Sequence, residues 1–184
     1  MVLKLSNAVV GFIANTIIYF LPALIANGAP VIFIGKVIKN PKPLDRGRKF
    51  IDGRPVLGPN KTIEGFLIGC LFGLVVGIAY ALITHNIFFM LYGFTMGLGA
   101  MIGDSINSFI KRRINIRSGD PFVPMDQLSF IVISYVFIKL LELDRLCGIE
   151  VTLAHFSMIV VIVMILHPLT NMISYLIGLK DKPW

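Results

Sequence analysis

Apolar runs of about 20 residues or more recur along this chain, and no other feature limits its fold so tightly. The hydrocarbon core of a bilayer is about 30 Å thick, and about 20 apolar residues in a helix cross it. Inside lipid every backbone N–H and C=O must be paired within the structure, which a helix achieves by itself. The runs fall at 8–38, 63–84, 87–113, 126–143 and 152–179. Of the 184 residues 56% are hydrophobic and 15% charged, where a soluble domain carries about 25% charge. The chain reads as an all-α polytopic membrane protein, one domain over residues 1–184. About five transmembrane helices and two functional cytoplasmic loops are expected.

Glycine and proline mark where these helices bend and touch. The run 8–38 is longer than one crossing needs and too short for two; Pro22, Gly28 and Pro30 predict a bent single helix. Lys4 ahead of it hints at a signal peptide, but the apolar character continues past any cleavage point. Gly65, Gly69, Gly73 and Gly77 form a stripe on the second run, and Gly93 and Gly97 again suggest close packing on the third. Small residues let helix backbones approach closely in lipid. Cys70 and Cys147 lie far apart in the expected topology, so neither a disulfide nor a metal pair is expected. Lys139 is expected to snorkel, Pro168 to kink the last helix, and His155 and His167 to be packing residues.

Charge orients the bundle. The formal net charge is +7, and fourteen of the 17 Lys and Arg residues lie in 36–61, 111–117 and 180–182. Five crossings put all three segments on one side. By the excess of basic residues that side is the cytoplasm, with the amino terminus outside and the carboxyl terminus inside. The positive charge is read as inward-facing loops plus an anionic substrate, not as a nucleic-acid surface.

The chemistry gathers at 99–130. Asp104, Ser108, Lys111 and Arg112 are spaced i, i+4, i+7 and i+8, so one helix face carries all four, with Arg113 beside them. An intramembrane carboxylate is costly and marks a functional site by default. A carboxylate below a basic fork suits a divalent cation and a polyphosphate. Asp126 opens the fourth run, either as an N-cap or as a second carboxylate near Asp104. Ahead of the second helix stands Gly-Pro-Asn-Lys-Thr-Ile-Glu-Gly at 58–65, which lacks the spacing of a P-loop. There Asn60 could cap the helix and Glu64 favour its dipole.

Gly-Asp, Ser four residues on, Lys-Arg and a loop ending in Asp resemble the signature of membrane-bound phosphatidate cytidylyltransferases. With the 58–65 stretch, the wording is more similar to their short archaeal branch, the CDP-archaeol synthases. The resemblance covers roughly the central half of the chain. Where the long-form enzymes carry Pro-Gly-His-Gly-Gly and Asp-Arg-x-Asp, this chain has Pro-Met-Asp-Gln-Leu-Ser at 124–129. The resemblance implies transfer of a cytidylyl group from CTP to an ether-lipid phosphate. It implies Mg²⁺ on Asp104 and Asp126, catalysis by these and Lys111, and CTP binding by Asn60, Lys61, Thr62, Glu64, Ser108, Lys111, Arg112 and Arg113. The partners are then CTP, a membrane lipid phosphate and the bilayer, with a homodimer left open. The competing class is a small secondary transporter or channel, which also places charge in the membrane. It is disfavoured by the clustering of charge at one face and the lack of a visible inverted repeat.

Overall fold

The computed structural model describes residues 2–179 and 182. Six helices follow in order: α1 Val2–Phe33, α2 Ile63–Thr84, α3 Phe88–Arg113, α4 Met125–Leu140, the single turn α5 Leu143–Leu146, and α6 Leu153–Leu176. Among the described residues the only β pairings are three isolated bridges. Four helices, α1, α2, α3 and α6, are long and apolar enough to cross a membrane. The expected fifth, α4, has 16 residues, about 24 Å at 1.5 Å per residue. It stops at Leu140 because the chain turns at Glu142, which takes φ 50°. The expectation of five helices thus meets four full-length spans and one short helix.

α1 is one helix, as its length implied, and it runs through both Pro22 and Pro30. It ends at Phe33, short of residue 38, because Gly35 adopts φ 86° and the N–H groups of Val37 and Ile38 fold back onto Phe33 O. A proline lacks the N–H that would reach the carbonyl four residues earlier, so Pro22 leaves Ile18 O without its helical donor. The phenol of Tyr80, from α2, donates to Ile18 O at 2.8 Å. One residue along, Tyr92 of α3 donates to Tyr19 O at 2.9 Å. α1 is pinned to both neighbours beside Pro22.

α3 is the central element, and glycine places it there. A Cβ built at Gly93 would lie 2.5 Å from Gly73 O and from Gly77 Cα, so the backbones of α2 and α3 touch. On another face, a Cβ at Gly99 would lie 2.6 Å from Ser134 Cα and one at Gly103 2.3 Å from Ser129 O, which brings α4 equally close. The Ser134 hydroxyl sits 2.9 Å from Met96 O and ties that contact. α4 runs antiparallel to α3, and at its far end Asn86 donates to Leu146 O at 3.2 Å. α4 and α5 together therefore match the length of α3. Lys139, near the end of α4, pairs with the buried carboxylate of Asp144, which also accepts from Val151 N. Cys70 and Cys147 are buried free thiols. Outward faces of the long helices carry exposed Leu82, Val161, Ile165 and Leu176, apolar surface suited to lipid.

Two outcomes follow from this packing. Gly93→Val should lower thermal stability in detergent sharply, whereas Gly11→Ala, with open space around it, should leave the melting temperature unchanged. Tyr80→Phe should cost about 1–2 kcal/mol by orphaning a carbonyl. In a Pro22→Ala background, where residue 22 regains its N–H, the same change should cost much less; equal costs in both backgrounds would reject the pairing.

Candidate active site

The 34–62 connector, though rich in proline and glycine, is ordered by one carboxylate. Asp45 accepts N–H bonds from Gly47, Leu57 and Gly58 at 2.8–2.9 Å. Burial pushes its carboxyl pKa up, but these backbone donors outweigh burial and hold it below the usual range. Antiparallel bridges pair Pro43 with Thr62 and Lys49 with Pro55. Glu64, in the first turn of α2, accepts from Lys42 N at 2.9 Å. The folded connector carries Gly58, at φ 95°, against α3, where a Cβ would stand 3.2 Å from Arg112 Nη1. A side chain there would meet both a strained backbone and that guanidinium.

Below this connector lies a cleft of about 920 Å³, bounded by α1, α3, α6 and both polar loops. Asp104, Ser108, Lys111 and Arg112 all line it, so the face read from their spacing is the face presented. Asn60, Lys61 and Thr62 line it from the connector, and Asp126 from α4. Lys61 forms an ion pair with Asp104 across the cleft. Lys111 lies 3.1 Å from Asp126 and also donates to Asp120 O. Asp104 and Asp126 thus each hold a lysine contributed by another segment, and Asp120, which also lines the cleft, has Lys182 3.4 Å from its carboxylate. The lining also includes neutral polar groups, Asn27 of α1 and Thr170, Asn171 and Ser174 of α6, and apolar Leu24, Ile25, Phe66 and Phe72.

Four residues play parts that the sequence left open or assigned differently. Thr62, not Asn60, caps α2, accepting from Gly65 N at 3.1 Å. Pro124 occupies the N-cap of α4, so Asp126 is not a cap. Its carboxylate instead accepts from Phe122 N and Asn107 Nδ2, each at 2.6 Å, and from Lys111. Arg113 lies off the cleft lining, as does Glu64. Sequence reasoning missed Asn107, although it stands i+3 from Asp104 and i−4 from Lys111 on the same face. It also missed Asp45 and Arg54, for which only tertiary contact gives a signal.

A hard cation such as Mg²⁺ takes oxygen ligands, commonly one or two carboxylates completed by phosphate oxygens and water. Among the described residues no group of three His, Cys, Asp or Glu could hold a metal. The cleft does offer Asp104 and Asp126, and the buried Asn107 Oδ1 has no hydrogen-bond partner. These oxygen donors fit a cation that shares its remaining positions with a phosphate substrate.

Comparison with known proteins bears on what this cleft serves. The CarS-like family model, described as CDP-archaeol synthase, matches residues 9–184. A CDP-archaeol synthase of Thermofilum pendens is 40% identical over 95% of this chain and 82% of its own length. That of Methanopyrus kandleri is 41% identical over 90% of both, and that of Sulfurisphaera tokodaii 36% over 96% and 99%. A solved structure described as an intramembrane enzyme for archaeal membrane lipid biosynthesis superposes with a TM-score of 0.71 at 35% identity, covering 86% of this chain and 94% of that one. The transporter alternative finds no support in these relatives. A multi-pass membrane enzyme with this cleft and these relatives belongs to the CDP-archaeol synthase family.

Proposed function

We propose that the cleft transfers a cytidylyl group from CTP to the phosphate of a geranylgeranyl ether lipid, giving CDP-archaeol and pyrophosphate. The observation that carries this is the paired charge of the cleft: Lys61 on Asp104 and Lys111 on Asp126, with Arg112 and Ser108 between them. Such a wall offers three cations to a polyanion, two of them held by carboxylates in its absence. The lipid phosphomonoester is ionised near neutral pH, so the reaction needs no strong base. One of its oxygens bonds to the α-phosphorus of CTP while the α–β bridging bond breaks, and pyrophosphate leaves with that electron pair. The barrier is the repulsion between anions, so positioning and charge neutralisation supply the catalysis.

Lys61, Lys111 and Arg112 grip the triphosphate, with Ser108 and Asn60 donating hydrogen bonds beside them. Asp104 and Asp126, with Asn107 Oδ1, would hold Mg²⁺, which when bound neutralises phosphate oxygens. Lipid chains lie along the apolar wall at Leu24, Ile25 and Phe66. The site faces the cytoplasm, where CTP is made. For this orientation α4, extended by α5 to the length of α3, counts as the fifth crossing.

Asp126→Asn and Asp104→Asn should each cut turnover by orders of magnitude while the protein stays folded and inserted. Lys111→Ala should instead weaken CTP binding and keep some activity at high CTP. Turnover is measured as pyrophosphate released from CTP and a long-chain lipid phosphate, and chelation of divalent cations should abolish it. Near-normal turnover in Asp126→Asn would remove Asp126 from the metal site.

Orientation has its own check. In a background lacking Cys70 and Cys147, Arg48→Cys should react with an impermeant thiol reagent only from the cytoplasmic side, and Arg145→Cys only from outside. The reverse labelling would place the cleft away from CTP.

A further inference from the structure

Two arginines bolt the 34–62 connector to the end of α3, each drawing its acceptors from the other's segment. Arg54, in the connector, directs Nη1 at the carbonyls of Arg112, 3.3 Å away, and of Arg113. These belong to the last turn of α3, where carbonyls lack i+4 donors and the helix dipole is negative. Arg113 reciprocates. Its Nη1 lies 2.8 Å from Asp52 Oδ1, and its Nη2 donates to Pro55 O. The guanidinium carbon sits 4.8 Å from the ring centroid of Phe50 in the connector and 4.7 Å from that of Phe109 on α3. The two rings meet edge to face and shield the cation from water.

Two residues beyond Pro55 the chain enters the Asp45 hydrogen bonds at Leu57 and Gly58, and then delivers Asn60 and Lys61 to the cleft. Neither Arg54 nor Arg113 lines that cleft. We infer that Arg54 and Arg113 are positioning residues: their reciprocal clamp sets where Lys61 and Asn60 stand over α3, and neither touches the nucleotide. The inference rests on the cleft being the CTP site.

Asp52 separates a clamp from a phosphate ligand. If Arg113 bound phosphate, removing the negative charge of Asp52 would free it, and CTP would bind equally well or better. If Arg113 clamps, losing Asp52 loosens the connector, and CTP binds worse. Displacing a binding group by about 1 Å is enough to cost large factors in efficiency.

The test uses the full-length protein in detergent. Initial rates against CTP at saturating long-chain lipid phosphate give KM and kcat, and tryptic nicking at Arg46, Arg48 and Lys49 without substrate reports the connector. Asp52→Asn and Phe50→Leu are each expected to raise the KM for CTP about tenfold, hold kcat within about threefold, and speed nicking several-fold. Arg113→Lys should match them, because an ammonium cannot serve two rings, a carboxylate and a carbonyl at once. Nicking at the wild-type rate in Asp52→Asn overturns the clamp whatever the KM, and it does so without reference to nucleotide. Faster nicking with an unchanged or lower KM overturns the positioning role.

Discussion

How near α3 allows its neighbours to come decides the rest of the architecture. Glycines on two faces bring α2 and α4 to backbone contact, where dispersion and small-residue packing replace the hydrophobic force that lipid cannot supply. A helix held this way on two sides has little freedom to rotate. Its third face, with Asp104, Ser108, Lys111 and Arg112, is therefore presented at a fixed angle to the cleft. The apolar half of the helix makes the polar half precise.

Charge inside a membrane must be cancelled whether or not substrate is present. Here each cleft carboxylate already holds a lysine from another segment. The resting site is close to neutral, and its ion pairs also join the connector and α4 to α3. Occupation by a polyanion and a cation would exchange partners within the same set of groups rather than expose new charge. The folded connector adds rigidity from above through Asp45, whose acceptor capacity is spent on backbone donors.

The helices and the charged face were legible because periodicity and length carry them: α2 occupies the residues its apolar run occupies, 63–84, and the i, i+4, i+7 spacing of Asp104, Ser108 and Lys111 is the face that lines the cleft. Helix ends were less so. The end of α1 depended on the positive φ at Gly35, and the end of α4 on that at Glu142, a residue type that rarely takes it. The cap of α2 fell to Thr62 because the connector enters as extended chain through Lys42 and Pro43, a long-range constraint. Likewise the partners of Arg113 lie about sixty residues away in Asp52 and Pro55. No local pattern announces such a pairing, so a basic residue next to Lys111 and Arg112 reads in sequence as one more phosphate ligand.

The buried turn at Asp144 has a chemical consequence for the thiol beside it. Burial, with Asp144 adding to it, pushes the Cys147 thiol up to about 12. Only the thiolate attacks disulfides or is readily oxidised, so a raised pKa keeps this thiol in its unreactive form at neutral pH. Buried and held as the thiol, the cysteine at this end of the bundle is protected from oxidants and from stray disulfide exchange.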